Sequence, residues 1–240
     1  MAKVLSFPYG DSLISFYPVY SPHRQTVEIA VEAPGKVIVT APEGRTDDEL
    51  IQVVTKKAYW ITQQLYQLKS VRFQPVIREM VNGESLLYLG RNYRLELELF
   101  PSLKKADVRL DHGVFKIQAP SMEPDYLRSH LIEWYRFKAR EKVEARIRYY
   151  APKLGVTPTD IHIKDQKKRW GSCTKDGVLY FNWRCVLAPS PVLDYVVVHE
   201  LCHLLEKQHS SRFWALLRTA MPEYETRKAW LLSNGVRLDL

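Results

Sequence analysis

The chain has 240 residues and a formal net charge of +8, and its length allows one large domain or two small ones. Hydrophobic residues make up 46% of the sequence and aromatic residues 12%, which is typical of a globular protein and excludes a disordered one. No apolar run of about eighteen residues and no secretory signal pattern occurs, so we expect a protein that neither spans a membrane nor is exported. The three cysteines form no Cys-x-x-Cys pair, which favours a cytoplasmic location.

The first half of the chain predicts two similar units, each with paired strands, an Ala-Pro stop and then a helix. In the first unit, Thr46 or Asp47 is expected to cap the helix. Its predicted strands are 26–33 and 36–40, and its predicted helix is 48–68. A further strand pair, 84–89 and 93–100, is predicted between the two units. The second unit has predicted strands 107–110 and 114–118, and a helix 124–150 that stops at Ala151-Pro152. The Ala-Pro stops at 41–42 and 119–120 lie 78 residues apart, which indicates either an ancient duplication or two merely similar units.

The second half predicts short strands followed by three helices. The expected strands are 160–164 and 178–181, and the expected helices are 191–205, 211–221 and 223–233. Ser190 is predicted as the N-cap of the first of these helices, with Pro191 at its first position. Ser210 is predicted to cap the second helix, so the preceding helix must end near Lys207.

The helix 191–205 carries the pattern His199-Glu200-x-x-His203 inside an apolar run. Residues four apart share one face of a helix, so both imidazoles can bind one zinc ion. Glu200 is then the base for a water molecule that the metal activates. The alternative is an ordinary buried helix whose histidines form core hydrogen bonds. That alternative is costly, because polar side chains in an apolar helix need strong partners.

The third zinc ligand is less constrained by the sequence. His209 follows His203 by six residues, as in the metzincin pattern, but Glu206 stands where that pattern has a glycine. The competing ligands are Glu206 itself and the more distant Glu223 and Glu225. We favour His209, because neutral imidazole suits zinc and a turn before the next helix can direct it to the metal.

The substrate is expected to meet the chain just before and along the strand 178–181. An extended peptide can pair with an exposed strand edge, and backbone N–H groups near Gly171 and Ser172 can face a developing oxyanion. Lys167, Lys168 and Arg169 form the densest basic cluster, which is either a solvated loop or a contact for phosphate or acidic groups. The plainer alternative is a simple hairpin whose tryptophans, Trp170 and Trp183, fill the core.

Several segments together resemble the YgjP-like metallopeptidase family. They are 166–173 (QKKRWGSC), 181–184 (FNWR), 193–203 (LDYVVVHELCH), His209-Ser210 with Phe213-Trp214, and the N-terminal segments 41–44 and 82–90. The resemblance implies a zincin-type core, distantly similar to SprT-like and Wss-type proteases. It implies His199, His203 and His209 as metal ligands and Glu200 as the catalytic residue. The chain shows no obvious zinc finger or other DNA-binding module, and the resemblance leaves the substrate open.

We therefore predict an α+β protein with a β-rich unit and helix at 1–124 and a zincin-like metal-hydrolase domain at 125–240, whose metal helix lies beside a small antiparallel sheet. The predicted function is zinc-dependent peptide hydrolysis, with a peptide or protein as substrate. Two alternatives stay open, a nucleotide pyrophosphatase and a zinc-stabilised nucleic-acid-binding protein, and a DNA-associated substrate is compatible with the resemblance. The predicted substrate-binding residues are Lys167, Lys168, Arg169, Trp170, Gly171, Ser172 and Asn182.

Overall fold

The computed structural model describes residues 3–10, 12–22, 24–32, 35–70, 78–166 and 169–240. The protein is a mixed α+β structure with two compact units, Met1–Gln74 and Pro75–Leu240. The predicted division near residue 124 falls inside the second unit, because the sheet before that point and the helix after it share one apolar core. Within the described residues, no helix has the length and apolarity that crossing a membrane requires.

The first unit is a four-stranded sheet with two helices. The strands are β1 (Leu5–Tyr9), β2 (Ser12–Ser21), β3 (Glu28–Glu32) and β4 (Lys36–Pro42), and their order in the sheet is β1-β2-β4-β3. The predicted hairpin is confirmed as the antiparallel pair β3–β4, although Ala33 and Pro34 in its turn lie outside the described residues. The β1–β2 hairpin is not predicted from the sequence, where Pro8 and Pro18 argue against strands.

The single helix predicted over 48–68 is two helices, α1 (Asp47–Thr55) and α2 (Ala58–Ser70). A tight turn separates them, in which the Lys57 N–H donates to the Val54 carbonyl at 2.9 Å. The predicted cap is confirmed, since the Thr46 hydroxyl accepts a hydrogen bond from the Glu49 N–H. Apolar residues of the sheet and both helices, among them Phe16, Val39 and Leu50, form the core of this unit.

The second unit begins with a sheet of the same design. Its strands are β5 (Ser85–Tyr88), β6 (Arg91–Leu99), β7 (Asp107–Asp111) and β8 (Val114–Ala119), in the order β5-β6-β8-β7. Both four-stranded sheets have one parallel pair between two antiparallel pairs. The helix α3 (Pro124–Leu154) packs its buried stripe, from Leu127 to Ala151, in the same core as this sheet. It runs through Pro152 rather than stopping there, and Gly155 ends it in the left-handed conformation.

The rest of the second unit is a three-stranded sheet and three helices. The strands are β9 (Asp160–Lys164), β10 (Gly171–Cys173) and β11 (Val178–Asn182), and the helices are α4 (Ser190–Leu205), α5 (Ser211–Ala220) and α6 (Tyr224–Asn234). The sheet has the order β10-β11-β9 and is mixed rather than antiparallel as predicted. The strand β11 pairs with β10 in antiparallel orientation on one side and with β9 in parallel orientation on the other side. The parallel pair arises because β10 lies between β9 and β11 in the chain but not in the sheet.

The start of α4 lies one residue before the predicted position. Pro189, and not Ser190, is the N-cap residue, and its carbonyl accepts hydrogen bonds from the Val192 and Leu193 N–H groups at 2.8 and 3.1 Å. The predicted Ser210 cap of α5 is confirmed, since its hydroxyl accepts a hydrogen bond from the Phe213 N–H at 3.2 Å.

Candidate metal centre

The helix α4 is buried on nearly all sides, and this burial fixes the histidines that it carries. All residues from Val192 to Cys202 except His199 are buried, including the acidic Asp194 and Glu200. Asp194 is held by α3, where Arg146 Nη2 donates to its Oδ2 at 2.7 Å and the Tyr150 hydroxyl donates to the same oxygen at 3.0 Å. The first half of α4 is therefore held to α3 by polar contacts as well as by apolar packing.

Three histidines converge at the C-terminal end of α4. The candidate ligand atoms of His199, His203 and His209 all lie within 4.8 Å of one another, and His199 Nε2 and His209 Nε2 are 3.0 Å apart. Two nitrogen ligands of one tetrahedral zinc, each about 2.0–2.1 Å from the ion, are separated by about 3.3 Å. The separation of His199 Nε2 and His209 Nε2 is therefore close to that of two ligands of one metal ion.

The turn after α4 brings His209 to the two helical histidines without a glycine. Glu206, the C-cap residue of α4, has φ −138° and ψ 108°, which is extended backbone that any residue adopts. Its carbonyl lies 3.0 Å from His203 Nδ1, an arrangement that leaves His203 Nε2 free to face a metal. This geometry explains how the chain departs from the glycine-containing pattern and still directs a third imidazole at the site.

Two of the competing carboxylates form ion pairs with arginine residues. Glu223 pairs with Arg227 at 3.2 Å, and Glu225 pairs with Arg218 at 3.0 Å. In the part of the chain that the structure describes, the grouping of possible metal ligands consists of the three histidines alone.

Desolvation favours the neutral form of the three imidazoles, which is the form that binds a metal. Desolvation lowers the pKa of His199 to about 3, and the neighbouring His203 and His209 add to this effect. The pKa values of His203 and His209 are also lowered, again chiefly by desolvation. Each of these shifts favours the neutral ring, the form that a metal ligand must have.

Glu200 lies beside the histidines, and one of its carboxylate oxygens lacks a hydrogen-bond partner among the described residues. Desolvation raises its pKa to about 8, and the positive charge of Arg169 opposes this rise. Its Oε2 atom is buried and has no hydrogen-bond partner among the described residues. A buried carboxylate oxygen without a partner is costly, and such groups occur where a ligand or a reacting molecule completes the site.

The strand β10 packs directly on Glu200. A Cβ atom at Gly171 would lie 2.7 Å from Glu200 Cγ and 2.7 Å from Oε1, so a larger residue at this point would require the Glu200 side chain to move. The expectation that 178–181 offers an exposed edge is wrong, because β11 is the central strand and is paired on both sides. The edge strand beside the site is β10, which contains Gly171 and Ser172.

The other predicted substrate-binding residues have different surroundings. Arg169 is exposed, whereas the ring of Trp170 packs against Gly235 near the C-terminus. The Asn182 amide donates to the carbonyls of Gln166 and Arg169 at 2.6 and 3.1 Å. Its oxygen accepts from the Arg184 N–H, so this buried side chain supports the loop before β10. Lys167 and Lys168 lie outside the described residues.

Two aromatic residues of α5 also belong to the site, although the sequence patterns gave them no role. The fully buried Phe213 ring contacts the three imidazoles, with centroid distances of 4.9, 4.5 and 4.8 Å to His199, His203 and His209. Trp214 is stacked on His209 at 5.4 Å. Their position four and five residues after the third histidine is the signal that sequence analysis can use.

Comparisons with known proteins bear on this site. The sequence model of the YgjP-like metallopeptidase domain matches residues 25–234. Among solved structures, the crystal structure of the metallopeptidase zymogen of Pyrococcus abyssi abylysin matches with 22% identity and a TM-score of 0.33. That match covers 36% of this chain and 87% of the abylysin chain. No curated protein matches the chain. The family description names a metallopeptidase and gives no support to nucleotide hydrolysis or nucleic-acid binding.

Proposed function

Since the chain belongs to the YgjP-like metallopeptidase family, we propose that it hydrolyses peptide bonds with a zinc ion held by His199, His203 and His209. Family membership implies a metal cofactor and a peptide or protein substrate. The choice of zinc rests on the donor set, because three neutral imidazole nitrogens are typical of catalytic zinc sites that keep one position open.

The observation that carries this proposal is the unpartnered Oε2 of Glu200 beside the three histidines. Glu200 follows His199 on α4 and so lies next to the proposed metal ligands, and we assign it the role of base and not of ligand. A structural zinc site, as in the nucleic-acid-binding alternative, does not require a buried carboxylate whose oxygen lacks a hydrogen-bond partner. A hydrolase needs such a group as its general base.

Each residue then has a distinct task. A zinc ion held by the three histidines would supply Lewis-acid chemistry to the site. Glu200 accepts the proton of the attacking water and returns it to the leaving amine nitrogen. Burial raises the pKa of Glu200 in the metal-free site, and a metal ion beside the carboxyl group would favour its ionised, proton-accepting form. Phe213 excludes water from the side of the imidazoles that faces the core.

The edge strand β10 is the proposed docking site for the substrate backbone. An extended peptide gains affinity by adding a strand to a sheet edge. Because Gly171 lies against Glu200, a peptide paired with β10 passes close to the general base. Arg169, just before β10, is an exposed cation available for acidic side chains of the substrate.

The test compares Glu200→Gln with the wild-type protein for zinc content and turnover of unfolded protein and peptide libraries. We expect about one zinc per chain in both proteins and a loss of turnover of roughly 10²-fold or more in the variant, because the amide cannot accept the proton. In the same series, His209→Ala should lower zinc content far more than Glu206→Ala, Glu223→Ala or Glu225→Ala.

Two outcomes contradict the proposal. Normal turnover in zinc-loaded Glu200→Gln rejects Glu200 as the base, and loss of zinc in that variant makes the carboxylate a ligand or a structural group. Nucleoside triphosphates are included in the assay. If the protein releases phosphate or pyrophosphate in a reaction that depends on Glu200, and cleaves no peptide, the proposed function is wrong and the protein is a nucleotide hydrolase.

A further inference from the structure

The third histidine differs from the other two in its support. His199 and His203 are half-buried on a helix, whereas His209 is exposed and lies on the turn between α4 and α5. An exposed side chain on a turn has rotamer freedom, and a metal that binds it must overcome the entropy of ordering it. Something other than its own secondary structure must therefore hold His209 in the ligand position.

Trp214 makes two contacts with His209 that restrict this freedom. The indole and imidazole rings are stacked, with centroids 5.4 Å apart and planes inclined by 20°. The indole Nε1–H also donates a hydrogen bond to the His209 carbonyl at 3.2 Å. The stacking restricts the ring, and the hydrogen bond fixes the backbone that carries it.

Trp214 is itself held in place from several directions. Its backbone N–H donates to the Ser210 carbonyl at 3.1 Å in the first turn of α5. The ring of Tyr224 is stacked with it at 5.7 Å and 21°, and Lys228 Nζ lies 4.4 Å from the centroid of the indole ring. The indole is thus a rigid support, because α5 and α6 both contribute to its position.

We propose that Trp214 is a positioning residue that pre-orders His209 for metal binding and takes the place of the glycine turn that this chain lacks. The inference rests on the proposed function, since it requires a metal at the three histidines. It assigns no contact with substrate to Trp214. The effect is on the free energy of metal binding, and it arises because the ligand is ordered before the metal arrives.

Two variants separate the contacts. Trp214→Phe keeps an aromatic ring against His209 but removes the N–H donor, and Trp214→Ala removes both contacts. We expect zinc affinity, measured by chelator competition, to fall by about 10- to 100-fold in Trp214→Ala and by less in Trp214→Phe, the range found for residues that orient metal ligands. Absorption spectra of the cobalt(II)-loaded proteins should show altered coordination in Trp214→Ala.

The matched control is Trp134→Phe. Trp134 packs against Tyr88 and Phe115, at 5.2 and 4.9 Å, in the core of the same unit. This variant should keep the wild-type zinc affinity. Circular dichroism and thermal unfolding of the metal-free proteins report whether each variant is folded, and Trp214→Phe provides the test if Trp214→Ala does not fold.

Wild-type zinc affinity in both Trp214 variants overturns the inference, and so does wild-type affinity in His209→Ala. These results are distinct from failure of the proposed function. If the wild-type protein binds no zinc, or if His199→Ala leaves its zinc affinity unchanged, the metal site itself is rejected. If zinc binding depends on His199 but not on Trp214, only the positioning role is rejected.

Discussion

Glu200 and His199 are adjacent on α4, and burial moves their pKa values in opposite directions. The pKa of Glu200 rises to about 8 and that of His199 falls to about 3, both mainly through desolvation. Each shift disfavours the charged form of its group. In the metal-free protein, Glu200 therefore lowers the free energy of unfolding at high pH, and His199 lowers it at low pH.

The contribution of Glu200 can be isolated. Because its pKa is higher in the folded state than the ordinary value of 4.5, its stabilising contribution is fully present below pH 4.5 and is lost as the pH rises towards 8. His199 has the opposite sign, and its contribution is lost as the pH falls from 6.5 towards 3. Glu200→Gln removes the first effect and leaves the second.

We therefore expect metal-free Glu200→Gln to lose less stability than the wild type between pH 5 and pH 8. The difference should amount to a few kcal/mol, since each unit of pKa shift corresponds to about 1.4 kcal/mol. Urea unfolding with a chelator present, at both pH values, measures it. Glu96→Gln, at an exposed position on β6, is the matched control. Parallel pH dependence in all three proteins contradicts the assigned cause.

At the scale of elements, the contact of β10 with α4 sets the position of Glu200, the proposed general base. Gly171→Ala places a methyl group in the space that Glu200 occupies, so the carboxylate must move. We expect turnover to fall by about tenfold or more while zinc is retained, because a small misplacement of a catalytic group is costly. Zinc content and turnover are measured together. Lys175→Ala, in the exposed turn after β10, is the control. Normal turnover in Gly171→Ala contradicts the claim that close packing of Gly171 positions Glu200.

The elements also show what the sequence predicts and what it does not. The helix α4, the β3–β4 hairpin and the Ser210 cap follow from local patterns, namely spacing, alternation and capping chemistry. The edge position of β10 does not, since a three-residue strand has no period and its place depends on which strand pairs with β11. The support of His209 by Trp214 also depends on packing between α5 and α6, which is not encoded in local spacing.

The two four-stranded sheets extend the similarity that the Ala-Pro stops suggest. The buried residues of β4 are Val37, Val39 and Ala41, and those of β8 are Phe115, Ile117 and Ala119. Each residue of the first set lies 78 positions before its counterpart in the second, the same spacing as the stops. A shared strand order and a shared burial register are both expected of a duplication, although two independent sheets of one topology also satisfy them.

At the scale of the molecule, the candidate site lies wholly in the second unit. The three histidines, Glu200 and the α5 aromatics all fall within Pro75–Leu240. Each unit also has its own apolar core, one built around Phe16 and Leu50 and the other around Trp183 and Tyr135. A segment with its own core and of this length is able to fold alone.

The fragment 75–240 should therefore fold and bind zinc with nearly the affinity of the whole chain. Circular dichroism, thermal unfolding and chelator competition measure this, and His209→Ala in the fragment controls for zinc bound elsewhere. Peptide turnover by the same fragment then assigns a role to the first unit. Turnover equal to that of the whole chain limits catalysis to the second unit, whereas intact zinc binding with lost turnover makes residues 1–74 part of substrate recognition. A fragment that folds but binds no zinc contradicts the placement of the metal centre in one unit, because all three proposed ligands are present in it.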